Sequence, residues 1–345
     1  MTVRFRLALT ALASISAVAS AQPVSLVGDI VVIQDPGGGI NALVGMDNMS
    51  IFPSHQEQFC RAAFNTARAA GIPDLFDGVI TFTASETMTD LDNVWQGSPV
   101  RADATGYGRQ NAPWMNSYDS AKLGQCVFMG TLGRTTSFIG GGFGPESLPA
   151  NPDSDWSPSL GISIPGLSSL TGIEMMGHEY GHHWLMGIEF DQNDGRGRQH
   201  FIRGFSGQDD MGQGGSPNQH YSAFADSRSV MYGSCIRDLG NGSYEVKGCE
   251  RKYSHIDQYL MGLRSPNEID PMMVLEDPTD MGRGVDAIGY SRTSSGMTVT
   301  GKVRHDITGD EVVRAMGARI PGYPNAPNCW RVAFIVVLEI GRAHV

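Results

Sequence analysis

Beyond residue 21 the chain has no apolar run long enough to cross a bilayer, which takes about 20 consecutive residues. It has no Cys-x-x-Cys pair, and so lacks the usual thiolate cradle for zinc. Basic side chains are few, 25 Lys and Arg against 36 Asp and Glu, for a formal charge of −11. That balance argues against nucleic acid or an anionic membrane as the main partner, since both would be repelled. Histidine is scarce, nine in 345 residues, so several in one short stretch stand out. Charge is nearly missing between Leu160 and Gly187, where Glu174 and Glu179 are the only Asp, Glu, Lys or Arg residues.

What is present begins with an export signal. Arg4 and Arg6 precede a short apolar core, Leu7 to Val18, and Ala19-Ser20-Ala21 is a small-x-small cleavage site. Residues 1–21 are thus expected to be removed, leaving a secreted protein that starts at Gln22 with charge 23 − 36 = −13. In an exported chain the five cysteines, Cys60, Cys126, Cys235, Cys249 and Cys329, are expected to form disulfides. Cys235 and Cys249 flank two short strand-like runs around Gly240-Asn241-Gly242, which predicts a stapled hairpin. Cys60 with Cys126 is the second expected pair, leaving Cys329 over. Glycine is abundant, 44 residues, so much of the chain should be loop. The length suits one large domain or two packed lobes.

The coarse pattern mixes strands and helices. Val24 to Val27 and Ile30 to Ile33 read as strands, with a glycine-rich turn at residues 37–39. Ser54 is an N-cap candidate for a helix to about Ala70, with Phe59, Ala63 and Ala67 on one face and Gly71-Ile72-Pro73 as its stop. Gly78 to Thr83 reads as a central strand and Val127 to Gly130 as another. Residues 140–168, rich in Gly, Pro and Ser, read as a loop. Tyr253 to Leu263 reads as a helix and Val332 to Leu338 as an apolar strand.

The stretch that carries chemistry is Gly177-His178-Glu179-Tyr180-Gly181-His182-His183-Trp184. It contains His-Glu-x-x-His. Residues four apart on a helix share a face, so His178 and His182 can present imidazoles to one metal ion. Glu179 lies beside that ion rather than on it, the place for a general base acting on water held by zinc. The apolar flank, Leu167 to Leu170, Ile173, Met176, Trp184 and Leu185, predicts a buried helix ending near Gly187. Gly177 and Gly181 each weaken a helix by roughly 1 kcal/mol relative to Ala, and close packing against a neighbouring strand would account for them.

A catalytic zinc usually has three protein ligands. The third must come from downstream, and His220, shortly before Ser229-Val230-Met231, is the first choice. Asp226 and Asp257 are the alternatives, as ligands or as groups that orient a ligating His. Asp257 also suits a helix cap, and Met231 suits ordinary core packing. Tyr221, Tyr259 and His255 are candidates for stabilising an oxyanion. Asp191, Asn193 and Asp194 lack the full calcium-loop register and read as solvated turn residues.

Several segments together resemble a poorly characterised group of secreted bacterial zinc metallopeptidases. They are Gly-His-Glu-x-Gly-His-x-Trp at 177–184, His-Tyr-Ser at 220–222, Ser-Val-Met-x-Gly at 229–233, the Gly-x-Gly hairpin, and Ser-x-x-Asp-x-Tyr-Leu-Met-Gly-Leu at 254–263. Residues 100–108 and 331–337 are similar as well, so the likeness runs from about Asp77 onward. Ser-Val-Met also resembles the methionine turn of metzincins, but Leu185 and Ile188 stand where that clan has its Gly and third His. The resemblance implies an α+β, zincin-like metallopeptidase domain with a mixed sheet and an active-site helix, hydrolysing protein or peptide substrates with Zn2+. Two other functions stay open: a non-catalytic, zinc-stabilised extracellular binding or adhesion module, and a hydrolase of non-peptide amides. The domain is expected over residues 22–339. Residues 340–345, Ile-Gly-Arg-Ala-His-Val, resemble a translated sequencing-adapter tail, so the natural chain is expected to continue, with the partner of Cys329 in that continuation.

Overall fold

The computed structural model describes residues 24–36, 38–40, 43, 55–73, 75–83, 96–98, 125–131, 172–181, 183–184, 188–199, 202, 221–222, 224–231, 233–247, 252–276, 297–301 and 303–340. The signal segment, the 140–168 loop, residues 341–345, His182, His220 and Cys249 lie outside them.

In chain order the elements are β1 (Val24–Val27), β2 (Ile30–Pro36), α1 (His55–Ala69), β3 (Gly78–Thr83), β4 (Gln96–Ser98), β5 (Gln125–Thr131) and α2 (Gly172–Gly181). Then follow β6 (Cys235–Gly240), β7 (Ser243–Lys247), α3 (His255–Leu260), a 3₁₀ turn at Pro266–Glu268, β8 (Met272–Glu276), β9 (Met297–Thr300), β10 (Val303–Ile307), α4 (Gly309–Met316) and β11 (Val332–Ile340). Six strands make the main sheet in the order β1-β2-β11-β3-β5-β4. The four inner strands run parallel, while β1 and β4 pair antiparallel at the two edges. The sheet is therefore mixed and the fold is α+β.

Side chains of the inner strands alternate between two buried faces, the period of two that a pleated strand imposes. Val31, Ile33, Val79, Ile335 and Val337 face α1 and pack on Phe59, Ala63 and Ala67. Ile30, Val32, Ile80, Phe82, Phe334 and Val336 face the other way, onto Met176, Tyr180 and Trp184. Each such side chain contributes about 1.5–3 kcal/mol when fully buried. β11, the last strand, is inserted between β2 and β3, with Phe334 opposite both Ile30 and Ile80. Ile340, counted with the suspected tail, continues that strand in register with Pro36.

Local chemistry sets the element ends. α1 closes with Ile72 N donating to Ala67 O at 3.1 Å and Gly71 N to Arg68 O at 2.9 Å, with Gly71 at φ 94°. This paired closure needs the left-handed backbone that glycine adopts without cost. β6 and β7 turn on Asn241 (φ 54°) and Gly242 (φ 73°), the two positive-φ positions of a tight hairpin. β9 joins that hairpin, β8 pairs with β10, and a smaller core of Phe224, Ile236, Tyr244, Val246, Leu275 and Val299 fills the space between.

The segment after α2 is tied to this second region. His305, buried on β10, lies 2.5 Å through Nδ1 from Gln192 Oε1 and 2.7 Å through Nε2 from Glu276 Oε2. Arg196 donates to the same Glu276 oxygen at 2.9 Å. Burial pushes the Glu276 carboxyl up, but hydrogen bonds from Arg196 and His305 outweigh it and hold the group below its usual range. Asp191 and Asp194 turn back onto their own loop, accepting from Asn193 N at 2.7 Å and Arg196 N at 3.0 Å.

Candidate active site

α2 lies on the sheet face opposite α1 and packs against β4 and β5. Its residues Met176 and Tyr180, four apart, enter the core, and the Tyr180 ring packs edge-on to Trp184 at 5.6 Å. Trp184 meets Trp330, just ahead of β11, at 5.0 Å. The helix ends at Gly181, before the expected Gly187, and passes into i→i−3 bonds, His183 N to Tyr180 O at 3.1 Å and Trp184 N to Gly181 O at 2.9 Å. Such bonds tighten the last turn.

A Cβ on Gly177 would meet Tyr253 Oη at 3.9 Å and Val230 Cγ2 at 4.0 Å, ordinary contacts, so this position does not require glycine and its neighbours are a turn and a tyrosine rather than a strand. The close approach to the sheet falls on Gly78 in β3, where a Cβ would come within 2.6 Å of the Tyr180 ring. Burial, with Asp77 adding to it, pushes the Tyr180 hydroxyl well above its ordinary range.

His178 and Glu179 are both buried, at 1% and 7% exposure. The His178 ring is oriented by Val230, whose carbonyl oxygen lies 2.9 Å from Nδ1. A carbonyl only accepts, so Nδ1 carries the proton and the lone pair of the neutral ring sits on Nε2. Metal-binding histidines are commonly fixed this way, by donating the other ring N–H to a backbone carbonyl. The chemistry of this position therefore fits a zinc ligand acting through Nε2. Among the described residues no three His, Cys, Asp or Glu side chains converge as a metal set; His182 and His220 are not among them.

Val230 belongs to a tight turn. Gly233 N donates to Ser229 O at 2.8 Å, and a Cβ on Gly233 would lie 2.1 Å from Ser229 N, so glycine is required there. Met231 N donates to Ser229 Oγ at 2.9 Å, and Met231 is fully buried in the core. Segment 252–254 runs alongside, with Val230 N donating to Lys252 O at 3.0 Å and Tyr253 Oη to Gly177 O at 2.6 Å. Burial pushes the Tyr253 hydroxyl far above its ordinary range.

The remaining predicted residues are distributed as follows. Asp257 is fully buried at the start of α3 in a capping box with Ser254: its Oδ2 accepts from Ser254 N at 2.7 Å, and its Oδ1 accepts from Tyr221 Oη at 2.7 Å. Asp226 sits apart, accepting from Ile236 N at 3.1 Å and Arg228 Nε at 3.2 Å where the β6 hairpin begins. The Tyr221 hydroxyl is used by Asp257, and the Tyr259 hydroxyl accepts from Arg319 N at 3.2 Å, so both are committed inside the core. His255 is half-exposed, with Nδ1 2.9 Å from Asp270 Oδ2. Three groups around His178 were not singled out in the sequence: the Val230 carbonyl, the Ser229 hydroxyl and Tyr253. A backbone acceptor leaves no sequence signal; Ser254 with Asp257 three residues on is a capping pattern, and it starts α3 at His255 rather than at the expected Tyr253.

Compared with family models, curated proteins and solved structures, the chain gives no match.

Proposed function

We propose that this chain is a secreted, zincin-like zinc endopeptidase. The observation that carries the reading is the His178 Nδ1 contact to Val230 O, made by the first histidine of the His-Glu-x-x-His motif, buried near the end of α2. It gives that histidine the tautomer and orientation a zinc ligand needs.

His178, His182 and His220 would hold the ion, with Asp226 or Asp257 as alternatives to His220. Bound zinc supplies a lowered water pKa near 7 and polarisation of the scissile carbonyl. Glu179, next to His178, takes the proton from the attacking water and passes it to the leaving amine nitrogen, so that one carboxylate serves as base and then acid. Its low exposure keeps bulk water from competing for that proton.

A peptide is favoured over another amide by β4. Among the described residues this strand forms one edge of the main sheet, and it packs beside α2. An extended substrate chain can pair with such an edge through its backbone. We further propose that the signal segment directs export, and that the resemblance to secreted bacterial zinc metallopeptidases reflects common ancestry. No helix among the described residues is long and apolar enough to cross a membrane.

The test is metal analysis of the purified chain starting at Gln22, with casein digestion before and after a chelator. Stoichiometric zinc with chelator-sensitive cleavage is expected. Zinc without cleavage would favour a binding module, and cleavage that survives complete metal removal would overturn the reading.

A further inference from the structure

His178 is anchored through two neighbouring segments. The turn at 229–231 supplies the Val230 carbonyl, and segment 252–254 supplies Tyr253 to the carbonyl of the residue before His178. The two segments are bridged at Ser229 and Lys252. What joins them to the core is Asp257. Its carboxylate receives the Tyr221 hydroxyl and the Ser254 backbone N–H, each at 2.7 Å. Ser229 Oγ accepts from Met231 N at 2.9 Å, and Tyr221 N donates to Met231 O at 3.1 Å. Every one of these donors belongs to the turn, to the residue backing it, or to the segment that carries Tyr253.

A capping aspartate needs only the Ser254 bond, and most such caps sit at the surface. Full burial of a carboxylate costs several kcal/mol unless its lone pairs are satisfied, and here they are satisfied by the groups that shape the turn. We propose that Asp257 is a positioning residue for His178. It fixes the 229–231 turn against segment 252–254, which places the Val230 carbonyl and thereby holds the His178 ring with its proton on Nδ1. The proposal rests on the reading of His178 as a zinc ligand, but the ring's placement is measurable without metal.

The test uses the chain from Gln22 with ¹⁵N-labelled histidine. In the metal-free wild type, His178 Nδ1–H should appear as a hydrogen-bonded, slowly exchanging imidazole proton. In Asp257→Asn its exchange should quicken about tenfold or more, the effect of one weakened hydrogen bond. Zinc affinity of the folded variant, measured by chelator competition, should fall about 10–100-fold. Tyr221→Phe keeps the α3 cap and the Tyr221 N–H bond to Met231 O, and removes only the hydroxyl that ties Asp257 to the residue backing the turn; it should move both readouts in the same direction, and it decides the matter alone if Asp257→Asn does not fold. Variants that lose thermal stability but keep wild-type exchange and zinc affinity would overturn the proposal. So would complete loss of zinc in Asp257→Asn with no change in Tyr221→Phe, which would make Asp257 a ligand. If the wild type binds no zinc, the metalloenzyme reading fails, and the exchange rates alone decide whether Asp257 positions the ring.

Discussion

Tyr253 donates its hydroxyl to the carbonyl of Gly177 at 2.6 Å, across 76 residues of sequence. The acceptor peptide is the one that leads into His178, so this bond sets the height of the helix over segment 252–254. Tyr253→Phe should remove it with little change of shape. Thermal denaturation should show a loss of about 1 kcal/mol, more if the carbonyl is left without a partner. Peptidase activity should fall as well, and unchanged stability together with unchanged activity would show that the bond does not position the helix.

Glu179→Gln should abolish hydrolysis while keeping zinc. The residue is proposed as base and not as ligand, so the loss should reach about 10²–10⁴-fold in kcat with stoichiometric metal. Metal lost together with activity would make Glu179 structural, and full activity would sink the mechanism.

The third ligand is decided by a comparison. His220→Ala should lose zinc drastically. Asp226→Ala and Asp257→Ala should each cost at most about 10–100-fold in affinity, the range for groups outside the coordination sphere. Asp226 already accepts from Ile236 N and Arg228, and both Asp257 oxygens accept from protein donors. Stoichiometric zinc in His220→Ala, with zinc lost in one aspartate variant, would transfer the role to that aspartate.

Cys235 should pair with Cys249, and Cys60 with Cys126. β6 and β7 set Cys235 opposite Lys247, two residues before Cys249. Cys126 lies opposite Val79 in β5, while Cys60 is buried on α1 within 3.6 Å of Thr81 Oγ1 on the strand between them. Neither Cys60 nor Cys235 is a free thiol, whereas Cys329 is free and exposed. Non-reduced peptide mapping should find both linked pairs and alkylation at Cys329. The closed loop of about 15 residues at 235–249 is worth roughly 3 kcal/mol. Free alkylation of Cys235 and Cys249 would refute that pairing.

Asp257 should make stability depend on pH. Burial raises its carboxyl from 3.8 to about 6, with hydrogen bonds from Ser229, Tyr221 and Ser254 pulling the other way. The folded state thus holds this proton more tightly than the unfolded chain. The resulting stabilisation is complete below the unfolded pKa and is lost as pH rises through about 6, by about 3 kcal/mol in all. Urea titrations of the metal-free protein at pH 4, 5, 6 and 7 should show this decline, and Asp257→Asn should flatten it. A wild type whose stability rises across the window, with the same slope in Asp257→Asn, would contradict the assignment.

The amino-acid sequence by itself determined what depends on neighbours a few residues away. Phe59, Ala63 and Ala67 lie on one helix face because 3.6 residues make a turn. Gly71 ends that helix, and Asn241-Gly242 turns the hairpin, because those backbones require positive φ. His178 and Glu179 stand out as candidates because the motif is carried by side chains, with its two histidines four residues apart in the sequence. Thr308 with Glu311 is a local signal of the same kind, a capping pattern ahead of Val312 and Val313 that starts α4. Tertiary structure alone decided the rest. The apolar run of β11 announces burial on both faces, but nothing in it says that its neighbours are β2 and β3, some 250–300 residues earlier. The tight approach at Gly78 depends on where Tyr180 lands, not on either residue's own preference. Val230 orients His178 through a peptide carbonyl that every residue possesses, so its role comes only from the fold that carries it within 2.9 Å of the ring.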